Sequence, residues 1–382
     1  MADNIKIKHF GPIKNADITL GPLTVFTGPQ NSGKSLTLKF IKFMNDIHIL
    51  HNLLINLQGH KNVEIDHDIF KAFFGFPLKE NYLIYGDKRV TNKYLRSLLK
   101  SDCEEKVVYI PSHRTICLDP VENEIIKIDK SLYNSDIFTY NYVEFLKNKL
   151  VHCIPPKKNS ALLNIEGMHR SMKNKIANNI LDGFRLNLKR AGDEIKINLI
   201  DKDNVPLSGF AWTIAQRQFV PILISIKDLL DQKNVSGLNP DKLIIIEEIE
   251  MGLHPKDIVT SMFLIFDLVA RGYRVILASN SPTVMDCIFA VYRLSQYNAG
   301  DDLFCKLFDL YNKDESKRIF ARLRELSSNF RAYYFDKLSG MVKDISSLDP
   351  ASPDEAVSTF GYTVDGRVGN LIARAYANRQ IE

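Results

Sequence analysis

Cysteine is scarce and scattered. The five cysteines, Cys103, Cys117, Cys153, Cys287 and Cys305, are odd in number and never stand as C-x-x-C. Such spacing offers neither a zinc site nor a disulfide framework. Long apolar runs are missing too. None approaches the roughly 20 residues that a membrane-crossing helix needs, so no membrane partner is expected. The opening residues, Met1-Ala2-Asp3-Asn4-Ile5-Lys6, lack the apolar core of a signal peptide, and the expected compartment is the cytoplasm. No Lys/Arg block is long enough to read as a nucleic-acid-binding arm. The net charge of +5 permits a nucleic-acid partner without demanding one, and weak binding at most is expected. No sustained heptad pattern is present, which excludes long coiled-coil arms.

What is present is an ordinary globular composition, 45% hydrophobic and 25% charged. Its 382 residues suffice for one large domain or two smaller ones. One stretch organises the reading: Gly28-Pro29-Gln30-Asn31-Ser32-Gly33-Lys34-Ser35. It follows the apolar run Leu23-Thr24-Val25-Phe26-Thr27 and precedes a helical pattern from Leu36. That is G-x-x-x-x-G-K-S in a strand, loop, helix context, the pattern of a phosphate-binding loop. Gly28 and Gly33 let the backbone fold around phosphate without a Cβ in the way. Backbone N–H groups of the loop and the first helical turn then point at phosphate oxygens, where the helix dipole also favours negative charge. Lys34 would reach the β- and γ-phosphates of ATP, and the Ser35 hydroxyl would hold Mg²⁺.

The other segments are read in relation to this loop. Ile5–Phe10 alternates apolar with polar residues, Gly11-Pro12 turns, and Ala16–Leu20 returns, which makes a hairpin just before the loop. Residues 36–105 read as mainly helical, Val107–Ile110 as a short strand with Arg114 just beyond, and 122–182 as a helical lobe interrupted by a loop at Pro155–Ser160. Phe184–Leu188 and Glu194–Ile200 alternate on either side of Ala191-Gly192-Asp193, a second hairpin. An apolar helix runs to Leu229. Leu243–Ile246 is a continuous apolar run that suits a strand buried on both faces, and it ends in Glu247-Glu248. A carboxylate at the end of such a strand, facing the phosphate loop, is placed to hold the water shell of Mg²⁺; its neighbour is placed to orient or deprotonate an attacking water. Val275–Ala278 is the next buried strand and ends in Ser279-Asn280-Ser281-Pro282. Residues 302–345 read as charged helices. The tail reads as a strand over Val357–Val364, an Asp365-Gly366 turn and a final helix. Strands alternating with helices around the loop predict an α/β fold with a mainly parallel sheet.

In this order the motifs resemble the ABC-class ATPases related to the RecF, SMC and OLD proteins, the "AAA family ATPases" of bacterial phage-defence operons. The resemblance runs from Ile5 to about Asp286. Phe10-Gly11-Pro12-Ile13 is similar to the opening of that family. Its carboxylate motif, commonly Glu-Glu-Pro-Glu-x-x-Leu-His-Pro, stands here as Glu247-Glu248-Ile249-Glu250-Met251-Gly252-Leu253-His254-Pro255. The resemblance implies an ABC-type ATPase head over 1–300, with an N-terminal antiparallel β-lobe, inserted helical lobes and no long coiled coil, followed by a helical C-terminal region over 301–382. It implies Glu247 at magnesium, Glu248 as catalytic base, and His9 or Phe10 stacked on the base, with core packing the other reading of Phe10. The family's signature segment, commonly Ser-x-Gly-Gln, falls on Thr213-Ile214-Ala215-Gln216, so Thr213 and Gln216 are candidate contacts to the nucleotide of a second subunit. An ordinary helix cap at Thr213 fits equally. The family's switch histidine falls on Asn280, which can hydrogen-bond to a γ-phosphate but carries no charge; a cap of the following turn is the other reading of Asn280. The glutamine that links nucleotide to the helical lobe has Gln58 as its only counterpart before His113-Arg114.

The resemblance therefore implies slow ATP hydrolysis. With one phosphate loop per chain, the two-headed sandwich of the family requires at least a homodimer. It also implies a separate effector, a nuclease or toxin, whose release or activation follows the nucleotide state. A RecF-like DNA-repair or DNA-clamp ATPase and a nucleotide-bound scaffold with negligible hydrolysis are the alternative expectations.

Overall fold

The computed structural model describes residues 3–58, 68–78, 82–100, 104–118, 136–154, 160–191, 194–231, 242–297, 299–310 and 313–361. The chain opens with β1 (Asn4–Phe10) and β2 (Ile13–Thr19), an antiparallel pair, and then β3 (Leu23–Thr27). β1 buries alternate residues and exposes the others, as its sequence alternation requires, whereas β3 is buried throughout. The helix Lys34–Gln58 follows the phosphate loop. Its buried Leu38, Ile41, Met44, Ile47, Leu50 and Leu54 recur every three or four residues and pack one face inward. The chain then adds β4 (Leu83–Tyr85), β5 (Lys88–Arg89) and β6 (Val107–Ile110). A further antiparallel group is β7 (Ser160–Leu162), β8 (Arg185–Ala191) and β9 (Glu194–Ile200). The helix Ile214–Asp231 leads to β10 (Leu243–Glu247), the helix Pro255–Ala270, β11 (Arg274–Ala278) and the helix Pro282–Gln296. β12 (Arg331–Phe335) and β13 (Val342–Asp344) come last.

Among the described residues these strands form three sheets. The core sheet has the order β13-β12-β3-β11-β10-β6, parallel throughout except for β13. The antiparallel sheet β2-β1-β4-β5 is the N-terminal lobe. Successive core-strand residues face opposite sides. Ile244 and Ile246 of β10 join the hydrophobic cluster under Ile214–Asp231 and Pro255–Ala270, while Leu243 and Ile245 join the cluster under Lys34–Gln58. Each such side chain contributes on the order of 1.5–3 kcal/mol by leaving water. The α/β class, the parallel core and the antiparallel N-terminal lobe are as expected. Among the described residues no helix is long and apolar enough to cross a membrane.

Several expectations need correction. Residues 302–345 are not all helix. After the helices Asp301–Leu307 and Lys313–Leu326 the chain forms β12, which pairs in parallel with the phosphate-loop strand β3, so a boundary at 300 separates a core strand from its sheet. Val357 and Ser358 end a short helix, Glu355–Ser358, and Thr359–Gly361 turn; no strand forms there. Val364, the Asp365-Gly366 turn and the final helix lie outside the described residues, as do 122–135, Pro155–Asn159 and Gly192-Asp193. Within 36–105 the β4–β5 hairpin interrupts the helices and extends the N-terminal sheet. Phe10 is buried and its ring meets Phe40, Phe70, Phe74 and Phe76, so core packing is its role. His9 is exposed and edge-on to Tyr82.

One buried ionic cluster ties the first helix to the sheet. Asp46 leaves helical geometry (φ −126, ψ 27), and its carboxylate accepts the N–H groups of Lys106 and Val107 at 2.8 and 3.0 Å. Lys42, fully buried, donates to Asp46 at 2.8 Å, to Glu105 at 2.5 Å and to the Val107 carbonyl at 2.8 Å. The kink is therefore the cost of capping the start of β6. Removing one partner leaves buried charge uncompensated, so Lys42→Met is expected to lower unfolding free energy by about 3–5 kcal/mol in urea titration. A loss below about 1 kcal/mol would be the value of an exposed pair and would contradict the burial of this cluster.

Candidate nucleotide site

Parallel strands deliver their carboxyl ends to one edge of the sheet. The pairing register places Glu247 beside Ala278 and Ala278 beside Phe26, so the loops after β3, β10 and β11 emerge together. They bound a cleft of about 650 Å³ whose lining includes Gln30, Asn31, Ser32, Gly33, Lys34 and Ser35 together with Glu248 and Asn280. Pro12, Leu36, Ser112, His113 and Met251 complete it.

The loop conformation depends on its glycines, though for a different reason from the one expected. Gly28 has φ +133, and a Cβ there would lie 2.5 Å from the Phe335 carbonyl oxygen of β12. Gly33 has φ +104, and its Cβ would meet Ile13 at 2.5 Å. Both glycines admit neighbouring strands and turns to the loop, besides adopting backbone angles that L side chains avoid. Lys34 folds back on the loop and donates to the carbonyls of Gly28 at 2.5 Å and Pro29 at 2.8 Å. Burial lowers its pKa from the usual 10.5 to about 8, against the opposing pull of Glu248, Glu247 and Glu250. The Ser32 hydroxyl is buried and has no hydrogen-bond partner among the described residues. A buried donor left open in a glycine-bounded loop fits an anion that arrives from outside.

Glu247 is buried at the end of β10. It accepts the Tyr109 hydroxyl at 2.8 Å and the Ser112 N–H at 3.4 Å. Glu248 takes a left-handed conformation, φ +47, and its N–H donates to the Ala278 carbonyl at 2.7 Å. Burial, then the nearby Glu250 and Glu247, raise the pKa of its carboxyl, while Lys34 and Arg114 oppose the shift. A carboxylate with raised pKa is a better proton acceptor for water. Among the described residues no group of three or more His, Cys, Asp or Glu is arranged to hold a metal by itself. Mg²⁺ in nucleotide sites needs only one or two protein ligands and completes its shell with phosphate and water; of the two expected ligands Ser35 lines the cleft, whereas Glu247 is buried at the strand end with its oxygens on Tyr109 and Ser112.

Asn280 is exposed, lines the cleft, and its N–H donates to Glu250 at 2.9 Å. Thr213 and Gln216 do not line the cleft. They form a reciprocal cap in which the Thr213 N–H donates to Gln216 Oε1 at 2.9 Å and the Gln216 N–H to Thr213 Oγ1 at 3.2 Å. Gln216 is buried, and its amide also donates to the Leu181 carbonyl at 3.4 Å. Its side chain thus shapes the helix start, as a capping box does; Thr213 is exposed. Gln58 closes its helix, and nothing further is described of its side chain.

Sequence reading gave no role to Ser112 and His113, to Glu250, or to Arg114. The signal for the first two was available: β6 is a short apolar strand, so its carboxyl end joins the same edge. Glu250 accepts the Ser279 hydroxyl at 2.8 Å together with the Asn280 N–H, which fastens the loop after β11 to the loop after β10.

No family model and no curated protein matches this chain. Solved structures similar to it include the Smc head domain with an extended coiled coil, bound to the C-terminal domain of ScpA, from Pyrococcus furiosus (14% identity, TM-score 0.37, 75% of this chain and 91% of that one). The SMC head domain from Thermotoga maritima is similar at 12% identity and TM-score 0.32, over 75% of this chain and 92% of that one. The ADP conformation of an ATP-binding cassette of an ABC transporter is similar at 13% identity and TM-score 0.32, over 75% and 85%.

The Lys34 environment fixes a sign. In the unfolded chain this amine keeps its proton to about pH 10.5, whereas in the fold it loses it near 8. Between those values the unfolded state binds more protons, so this group makes stability rise with pH. An anion bound at Lys34 restores the charge. Binding of an anion at this loop, probed with Mg·ATP, is therefore expected to take up a proton, approaching one per site, near pH 8.5 and almost none near pH 7. Binding enthalpies compared in buffers of different ionisation heat read this directly. Equal proton exchange at both pH values would contradict the lowered pKa.

Proposed function

We propose that this chain is an ABC-class ATPase that binds ATP with Mg²⁺ and hydrolyses it slowly. Two copies close around the nucleotide, and closure regulates a separate effector, a nuclease or toxin, in anti-phage defence. The observation that carries the ATPase reading is the meeting of Gln30–Ser35 with Glu248 and Asn280 around one cleft, with Glu247 buried next to Glu248 at the end of β10. The defence role and the effector rest on the resemblance of the motifs alone.

In this reading the loop N–H groups and Lys34 hold the phosphates, and Ser35 with Glu247 would hold Mg²⁺, which supplies charge neutralisation to the phosphoryl oxygens. Glu248, half-buried with a raised pKa, takes the proton of the attacking water. Asn280 senses the terminal phosphate by a neutral hydrogen bond, weaker than the charge-assisted bond of a histidine. That favours slow turnover and a long-lived ATP state, and at its limit it favours the scaffold reading. Pairing of two copies is supported by the surface beside the Thr213 cap, where Phe210 and Ile214 are 70% and 67% exposed. Exposed apolar side chains at a helix N-terminus suit a face that a second subunit covers.

Glu248→Gln is expected to keep Mg·ATP binding, to slow turnover by about 100-fold or more, and to leave ATP-bound copies paired in light scattering. Phe210→Asp is expected to weaken that pairing by about tenfold without loss of nucleotide binding to the single chain. Turnover of Glu248→Gln at the wild-type rate would remove Glu248 from the base role. Tight, salt-dependent binding of duplex DNA would instead promote the clamp reading.

A further inference from the structure

Arg114 is fully buried, yet its described hydrogen bonds go to backbone carbonyls and not to carboxylates. Its Nε–H donates to the Gln218 carbonyl at 2.8 Å. Nη1 donates to the carbonyls of Pro111 at 3.1 Å and Glu247 at 2.8 Å, and Nη2 to that of Glu248 at 2.8 Å. The acceptors belong to three segments: the end of β6, the end of β10, and the second turn of the helix Ile214–Asp231. A guanidinium is planar and rigid, so one side chain sets all three in a common plane. An ammonium at this position lacks the fork geometry to do so.

The Glu248 end of this brace is strained. A left-handed glutamate costs on the order of 1–3 kcal/mol and persists only where its surroundings impose it. Here its N–H is held by Ala278 and its carbonyl by Arg114, which fixes the direction of the carboxylate that lines the cleft. The Gln218 end lies one turn past the Thr213–Gln216 cap and the exposed Ile214. A second contact runs alongside: Met251 lines the cleft, and its sulfur accepts the Gln218 side-chain amide at 2.9 Å.

We propose that Arg114 is a positioning residue that joins Glu248 and the first turns of the Ile214–Asp231 helix into one unit, so that the state of the cleft is passed to the helix end that meets a second copy. This rests on the reading of the cleft as an ATP site. Glu248 shifts on contact with nucleotide and water; the guanidinium carries the shift to Gln218, and the cap at Thr213 moves with its helix. A guanidinium that merely filled the core would leave that helix indifferent to nucleotide.

The test is hydrogen exchange of the wild-type chain, diluted until monomeric, with and without Mg·ATP. Protection is expected at Ser32 to Leu36, and also, by about fivefold or more, at Arg217 to Phe219. Arg114→Lys is expected to keep the first effect and lose the second, with nucleotide affinity within about threefold of wild type and kcat lowered by about 30-fold. Absence of protection at Ser32 to Leu36 overturns the ATP-site reading. Protection there with none at Arg217 to Phe219 overturns the role of Arg114 alone, and this arm needs only the wild-type chain. Unchanged kcat in folded Arg114→Lys overturns it as well.

Discussion

The parallel pairing of β3 with β11 and of β11 with β10 sets Phe26, Ala278 and Glu247 in one row. β10 and β11 end at that row and β3 runs one residue further, to Thr27, so the loops that follow emerge at the same edge. A slip of one residue in β10 would turn Glu247 to the opposite face of the sheet and carry Glu248 away from Lys34. Burial on both faces forbids that slip, because it would exchange Ile244 and Ile246 with Leu243 and Ile245 between two packed clusters. The chemistry of the cleft therefore depends on apolar packing that never touches it.

Charge at the edge is unbalanced by design of the sequence. Glu247, Glu248 and Glu250 face one lysine and one buried arginine, and the arginine spends its donors on carbonyls. Glu250 keeps one buried oxygen without a partner among the described residues, and Ser32 keeps a buried hydroxyl likewise. Such open groups cost stability unless something outside the chain satisfies them. A polyanion accompanied by a divalent cation would satisfy both signs at once, as the proposed function has it: phosphate against Lys34 and the loop N–H groups, the cation against carboxylate. The strained Glu248 belongs to the same account, since local strain at a site is maintained by surrounding contacts, here Ala278 and Arg114.

Much of the site was legible in the sequence, because its parts are local. Gly28–Ser35 is a contiguous loop, and Leu243–Glu248 is a strand with acids at its end. The antiparallel lobe before the loop was legible for the same reason, as alternation broken by Gly11-Pro12. What escaped was what depends on distant partners. Arg331–Phe335 follows a charged helix and joins the core sheet by pairing with β3, about 300 residues earlier, as well as with β13. The demand for glycine at position 28 comes from the Phe335 carbonyl on that strand, so it could not be seen while β12 was unrecognised. Arg114 stood in plain view beyond β6, but its acceptors are carbonyls on two other segments, which sequence pattern does not encode. Gln216 reads by motif as a candidate contact to a second subunit's nucleotide; its burial in the cap of its own helix depends on the Leu181 carbonyl and was not legible.

The central claim is that the cleft is a nucleotide site in which Lys34 supplies the charge. Equilibrium binding of labelled Mg·ATP to wild type and to Lys34→Ala, near pH 7 and with thermal unfolding monitored in parallel, tests it directly. The account predicts saturable binding to wild type and a loss of about 100-fold or more in an equally stable Lys34→Ala chain. Equal affinity of the two chains would contradict it.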